Sequence, residues 1–457
     1  MPREIPPFGG TDDADIENAL QWFLGFLNAD DWKTRVAAIE RNIESGMQPR
    51  TRDFDTGDYV SAYGGRDRMA WYLYLVHTAL HDPLKYEPNQ GARILPIFKR
   101  LGADLGLLKR IGGVEERVQR LLGGERAQPD GGLFELLVAL LWKRNGYPTV
   151  EFIPERPPGK SPDILARSGR EEWFVECKRL RKSSEYSERE REKWLAMWSR
   201  FAQHLTRHNI SLVFEMTFHV ELASLPDDYL VAQLAGKLPF LSFPCHIASN
   251  ETWDVTARPV DYHRARAHLR RYRVRVPSDQ IQELLAGYRD PRRGFTSATA
   301  GDVVRIGGAS GNNRFLDSLS FAACSFWSCD APRAVLHKAR DVRRHLARAV
   351  DQLPSTGKCA VHLGLETLDG PLVEQVRFDR TKHSIDNFHT LGKDLRWVYC
   401  HLFESYAPPD QCWVMDETVT HFGKSLTGRD EPLAFRPVIV SDDETAADGV
   451  HWDRDPP

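Results

Sequence analysis

The chain has 457 residues with a formal net charge of −3, 41% hydrophobic and 27% charged residues, which excludes a fibrous or wholly disordered chain and suits two or three domains with full cores. So small a net charge leaves nucleic-acid binding to local patches rather than the whole surface. Seven cysteines without a C-x-x-C pair argue against a zinc ribbon and a disulfide scaffold and for a reduced, cytoplasmic protein.

The opening MPREIPPFGGTDDAD lacks the basic-then-apolar order of a signal peptide. No apolar run approaches the ~18 residues of a membrane span, so no membrane partner is expected. Residues 1–125 are predicted to be a helical region, because IENALQWFLGFL, RMAWYLYLVHTAL and ARILPIFKRLGADLGLL repeat apolar residues at helical spacing between Pro- and Gly-rich breaks.

After GGERAQPDGG the pattern changes, and residues 126–222 are predicted to form one α/β domain. GLFELLVALLWKRNGY reads as a helix ending near Gly146, and TVEFIPE as a short strand. PDILARS and EEWFVECKRL read as two strands joined by a tight turn. SEREREKWLAMWSRFAQHLTRHN is then a long helix and ISLVFEMTFHVEL a strand. Residues 223–330 are expected to be a basic connecting region, since residues 258–293 hold ten arginines against four acids. GGASGNN, at 307–313, lacks the Gly-Lys-Ser/Thr ending of a phosphate loop and reads as a turn. Residues 331–440 are predicted to be a second α/β domain, and 441–457 an acidic tail. His401 and His421 have no spacing that supports a metal site.

Chemistry concentrates on the two strands. Side chains alternate faces along a strand, so Glu176 and Lys178 share a face with Phe174, opposite Trp173, Val175 and Cys177. The tight turn implies antiparallel pairing, which brings Asp163 to Glu176. Two carboxylates pressed together resist ionising unless a cation sits between them. Mg²⁺ supplies that charge, and it favours one or two carboxylates plus water and phosphate oxygens. A neighbouring lysine can orient or deprotonate the attacking water. On the preceding helix Glu135 is the only polar residue among the ten of LFELLVALLW, and a buried carboxylate needs a partner.

PD followed by E-C-K, thirteen residues from Asp163 to Glu176, with an acid on the preceding helix, resembles the PD-(D/E)XK nuclease superfamily. The resemblance covers residues 130–222. It implies an α/β chain with a restriction-endonuclease-like core (α-β-β-β-α-β), flanked by the N-terminal helical region and the C-terminal α/β domain. It further implies a nuclease in which Asp163, Glu176, Lys178 and Glu135 are catalytic, with Asp163, Glu176 and Glu135 holding Mg²⁺, or Mn²⁺ as the alternative. The implied substrate is DNA before RNA. FELLVALLWKRNGY is also similar to the opening helix of restriction-like members that act on foreign DNA, which implies a defence role.

Arg179, Arg181 and Lys182 directly follow the catalytic strand and are candidates for phosphate contact, with a solvated helix entrance as the alternative. In the arginine-rich stretch, Arg266, Arg270, Arg271 and Arg273 lie among tyrosines, a combination that suits phosphate contact with base stacking. A charged helix face is the alternative. A regulatory protein partner or a homo-oligomer is a further expectation. Two other functions fit the same motif: a non-catalytic nucleic-acid-binding or assembly protein that keeps the fold, and a repair or junction-resolving nuclease.

Overall fold

In the computed structural model the described residues are 11–46, 66–154, 161–180, 184–276, 278–307, 313–339, 342–407, 412–424, 430–440 and 449–454. Apart from one short turn of helix at Leu105–Leu108, the described helices that lead the chain are α1 (Ala14–Leu24), α2 (Ala29–Gly46), α3 (Arg68–His81), α4 (Pro88–Ala103), α5 (Val114–Leu122) and α6 (Asp130–Arg144). Each of the better-formed starts has a side-chain cap; Asp13, Asp67 and Glu87 accept hydrogen bonds from first-turn amides of α1, α3 and α4. α6 is apolar almost all round, burying Leu133, Phe134, Leu136, Leu137, Val138, Leu140, Leu141 and Trp142. A helix of that composition belongs at the centre of a core, and each such side chain contributes roughly 1.5–3 kcal/mol on burial.

Strands β1 (Thr149–Phe152), β2 (Ile164–Ser168) and β3 (Glu171–Arg179) follow as an antiparallel meander. The chain then leaves this sheet for a long excursion and returns to it with α12 (Arg343–Gln352), β12 (Lys358–Glu366), α13 (Pro371–Asp386), β13 (Leu395–Tyr406) and β14 (Val414–Gly423). The central sheet has six strands in the order β1-β2-β3-β12-β13-β14. β3, β12 and β13 are mutually parallel, and β14 closes the far edge antiparallel.

One face of this sheet carries Trp173, Val175, Cys177, Ala360, Trp397, Tyr399 and Phe403 into a core shared with α6 and the N-terminal helices. The other face carries Phe174, Leu180, Val361, Leu363, Leu365, Val398 and Leu402 against α12 and its neighbours. The chain is thus an α/β protein with helices on both sides of a mixed sheet, the arrangement that parallel strands require.

The excursion between β3 and α12 builds its own layers: α7 (Glu185–Arg207), β4 (Leu212–Phe218), α8 (Tyr229–Leu234), β5 (Cys245–Ser249), β6 (Trp253–Pro259), α9 (Tyr262–Arg271), β7 (Val274–Arg275), α10 (Gln280–Ala286), β8 (Gly294–Ala300), β9 (Val303–Arg305), β10 (Arg314–Leu316), β11 (Phe321–Cys329) and α11 (Pro332–Lys338). Its main sheet runs β5-β6-β4-β11-β8, and β7-β10-β9 form a second, smaller one. α7 covers one face of the main sheet through Trp194, Met197, Trp198 and Phe201. α9 and α10 cover the other through Ala265, Leu269, Leu284 and Leu285.

Three expectations are corrected here. The strand at 212–218 does not join the sheet of the β2–β3 hairpin; β4 pairs with β6 and β11, and the parallel partner of β3 is β12, Lys358–Gly364 against Trp173–Arg179. Residues 331–440 do not form a separate sheet, because β12–β14 extend the same one. The stretch at 223–330 is not a connection but most of the inserted layers. Periodicity identifies a strand but not its partner, and 212–218 and 358–366 are equally apolar runs. Of the tail at 441–457, residues 441–448 and 455–457 lie outside the described residues, as do 308–312 of the expected turn. Among the described residues no helix is long and apolar enough to cross a membrane.

Candidate active site

The β2–β3 register pairs Ile164 with Val175, so Asp163, one residue earlier, falls beside Glu176. Pro162 is buried just before it, and the Asp163 carbonyl accepts a hydrogen bond from the Ile153 amide at 2.9 Å. The Cys177 amide donates to Asp163 Oδ2 at 2.7 Å. The carboxylate is thus held across the hairpin by the strand that carries the other two groups.

Glu176 is fully buried, at 0% exposure. Its Oε1 is paired with Lys178 Nζ, and its Oε2 is buried without a hydrogen-bond partner. Burial, then the nearby Asp163, push the Glu176 carboxyl up to about 9 against the pull of Lys178. Burial raises Asp163 as well, opposed by Lys178 and by the Cys177 amide. Lys178 is the most open of the three, at 22% side-chain exposure. Burial opposes its charge, but Glu176 and Asp163 outweigh that and hold its ammonium above the ordinary lysine range. Asp163, Glu176 and Lys178 therefore form one electrostatic unit.

Glu135 approaches from α6. Burial, then Asp163, raise its carboxyl to about 7, and Arg117 pulls the other way. Its Oε2 accepts from Arg117 Nε at 2.6 Å, and Arg117 Nη1 donates to Glu125 Oε2 at 2.6 Å. Arg117 is a residue that sequence reasoning missed. The signal is its phase in VEERVQRLL: it shares the buried side of α5 with Val114, Val118, Leu121 and Leu122.

Among the described residues no group of three or more His, Cys, Asp or Glu side chains is arranged to hold a metal ion; Glu135 is turned to Arg117, and Glu176 to Lys178. The chemistry of the donors nevertheless fits a divalent cation. Two carboxylates lie together at the hairpin, and a buried carboxylate oxygen with no partner costs on the order of 1–3 kcal/mol that a cation would recover. Asp163 and Glu176 would hold it, with Glu135 alongside.

The candidate nucleic-acid contacts divide. Arg179 is not on the surface. Its Nη2 donates to Glu366 Oε1 at 2.5 Å, and its guanidinium lies 4.9 Å from the centre of the Phe403 ring. Glu366 Oε1 also takes Arg93 Nε at 2.6 Å, and Arg93 Nη2 reaches Asp130 at 2.8 Å. This corrects Arg179 as a phosphate contact. The alternation that turns Glu176 and Lys178 one way turns Arg179 to the α6 side, where carboxylates already claim it. Arg181 and Lys182 lie outside the described residues.

In the arginine-rich stretch, Arg258, Arg264, Arg275 and Arg289 donate to backbone carbonyls of Ala286, Glu283, Pro83 and Ala407. Arg292 reaches the His451 carbonyl, and Arg293 pairs with Glu215. Arg266, Arg270 and Arg271 are exposed on α9, and Arg273 is half-buried just beyond it. His263, Arg266 and Arg270 recur at helical spacing on the solvent side, and Arg271 stacks 4.9 Å from the centre of the Tyr272 ring. α9 has no acidic residue, so this is a basic stripe.

His401 belongs to a buried chain. Trp142 Nε1 donates to His362 Nε2 at 3.1 Å, His362 Nδ1 lies 2.9 Å from His401 Nε2, and His401 Nδ1 lies 3.1 Å from Glu417 Oε1. The indole can only donate, so both tautomers are set and each histidine donates through Nδ1 toward Glu417. Comparison of this chain with protein-family models, with curated proteins and with solved structures found no match.

Proposed function

We propose that the protein is a divalent-metal-dependent nuclease that hydrolyses phosphodiester bonds in DNA, with Mg²⁺ as its ion. The restriction-endonuclease-like core is α6, β1–β3, α12 and β12, with the inserted layers between β3 and α12. The reading is carried by one observation. Asp163, Glu176 and Lys178 meet across the β2–β3 hairpin, where two carboxyls lie together and the fully buried Glu176 is bonded to Lys178 through Oε1.

The order of elements adds support, since a helix, three antiparallel strands, a helix and a parallel strand follow one another once the insertion is set aside. A bound divalent ion would supply positive charge for the phosphate as negative charge develops on it. Asp163 and Glu176 would hold that ion, their carboxylates fixed by the Cys177 amide and by Lys178. Lys178, partly open to solvent, holds a water in line with the phosphorus or donates to a phosphate oxygen. The α9 stripe of Arg266, Arg270 and Arg271 would meet the nucleic-acid backbone away from the reacting bond. A host-defence role rests on the resemblance of the α6 sequence.

A second reading is favoured by a different observation. Glu135–Arg117 and Glu176–Lys178 are already ion-paired, as a non-catalytic nucleic-acid-binding protein of the same fold would need. One experiment separates the two. The purified chain is incubated with plasmid, single-stranded DNA and RNA, with Mg²⁺, Mn²⁺ or EDTA. The nuclease reading expects metal-dependent cleavage that Lys178→Ala abolishes. Cleavage by Lys178→Ala at the wild-type rate removes the assignment, and salt-sensitive binding with no cleavage under either metal selects the second reading.

A further inference from the structure

Arg117 stands on the N-terminal helical layer, outside the hairpin and outside α6, yet its side chain is 4% exposed and bonded to Glu135. Its placement is built in. Gly112 forms a bridge with Glu151 of β1, its amide donating to the Val150 carbonyl at 2.9 Å and its carbonyl accepting from the Phe152 amide at 2.8 Å. A Cβ on Gly112 would lie 2.8 Å from the Glu151 Cβ, so only glycine lets the two backbones come this close. α5 starts directly after this junction and is therefore fixed against the edge of the catalytic sheet. On the other side, a Cβ on Gly132 of α6 would lie 2.4 Å from Arg117 Nη2. The guanidinium occupies the space that the missing side chain leaves.

The bond from Arg117 engages only Oε2 of Glu135, so Oε1 remains to serve the site. The other half of the guanidinium is taken by Glu125, whose side chain is 34% exposed. Arg117 is thus neutralised from behind. What it gives Glu135 is orientation rather than a surplus positive charge that would repel a cation. Side chains that fix a ligand in this way are commonly as important as the ligand itself.

We infer that Arg117 is a positioning residue of the active site: it clamps Glu135 through Oε2 so that Oε1 faces the divalent ion held by Asp163 and Glu176, and the N-terminal helical layer is thereby part of the catalytic apparatus. The inference rests on the nuclease reading. It assigns to residues 112–117 a role that the PD…E-x-K motif does not contain. Removing Glu125 leaves Arg117 with its full charge beside the site, so Glu125→Gln acts in the same direction as loss of the clamp.

The test is Mn²⁺ binding to the full-length protein, followed by electron paramagnetic resonance of the free ion, with circular dichroism as a check on folding. Wild type, Glu135→Gln, Arg117→Gln, Arg117→Lys, Gly132→Ala and the double variant Arg117→Gln/Glu135→Gln are compared. Arg117→Gln is expected to weaken Mn²⁺ binding by about 10- to 100-fold, and Arg117→Lys to recover part of the loss. Gly132→Ala, which displaces the guanidinium while keeping its charge, weakens binding in the same direction. In the Glu135→Gln background Arg117→Gln adds nothing further. Wild-type affinity in Arg117→Gln, tighter binding, or a loss that adds fully to that of Glu135→Gln overturns the positioning role and leaves the nuclease reading intact. Absence of Mn²⁺ binding by the wild type overturns both.

Discussion

Replacing Glu176 by glutamine should make the protein more stable while abolishing cleavage, and the pH dependence of the gain can be worked from the structure. Glu176 is fully buried beside Asp163, and its carboxyl is pushed up to about 9 by burial and by that neighbour, against the pull of Lys178. In the unfolded chain a glutamate titrates near ~4.3. Between these two values the folded state binds a proton that the unfolded state has lost, so stability falls as pH rises through that window. Each pH unit costs about 1.4 kcal/mol, and from the unfolded value to pH 7 the loss is on the order of 4 kcal/mol. Glutamine fills the same volume and does not titrate. It weakens the hydrogen bond with Lys178, so the net gain at pH 7–8 should be on the order of 2 kcal/mol, shrinking to nothing near pH 5. Lys178→Met should have the opposite sign, because it leaves two crowded carboxyls without the cation bound to Glu176. Urea unfolding at pH 5 and pH 8, in EDTA and followed by circular dichroism, measures both. A Glu176→Gln protein less stable than wild type at pH 8, or a difference that does not change with pH, would refute the reasoning.

Three further outcomes follow from the same structure. Glu417→Ala removes the acceptor for the Val438, Ile439 and Val440 amides and for His401 Nδ1; with each stranded donor costing about 1–3 kcal/mol, the destabilisation should be on the order of 4 kcal/mol in chemical denaturation. His451 is held down to about 3 by burial, with Arg454 and Arg292 adding to it, so its contribution to stability is lost as pH falls from ~6.5 toward 3, at about 1.4 kcal/mol per unit. His451→Gln should flatten the acid limb of a stability-against-pH curve. Arg266→Glu with Arg270→Glu should weaken DNA binding and lower its dependence on log salt by about 0.9 for each phosphate that is no longer neutralised, with Mn²⁺ binding unchanged; an unaltered salt slope removes α9 from the interface.

The hairpin is legible in the sequence because its information is local. Alternation fixes the faces of Trp173 to Lys178, the short turn fixes the register, and a lone acid in an apolar helix marks Glu135. The same alternation also turns Arg179 inward, but the carboxylate awaiting it, Glu366, comes from a segment far along the chain. Periodicity identifies β4 and β12 equally well as strands, and only the tertiary fold decides which of them lies beside β3. Arg117 is hidden for a related reason. An arginine on the apolar side of a helix is visible as a pattern, but the glycines that admit it, Gly112 and Gly132, acquire meaning only when β1 and α6 are brought against α5. The chain from Trp142 to Glu417 draws on α6 and three strands, and no spacing in the sequence announces it. In the arginine-rich stretch the count suggests one surface, whereas the fold directs Arg258, Arg264, Arg275, Arg289, Arg292 and Arg293 to internal acceptors.

The most direct test of the proposed metal site is a crystal of the protein soaked in Mn²⁺ and measured at the manganese absorption edge. An anomalous peak between Asp163 and Glu176, with Glu176 Oε2 within about 2.0–2.4 Å of it, is the predicted result. A map without that peak at millimolar Mn²⁺, with Glu176 still bonded to Lys178 and its second oxygen empty-handed, would contradict it.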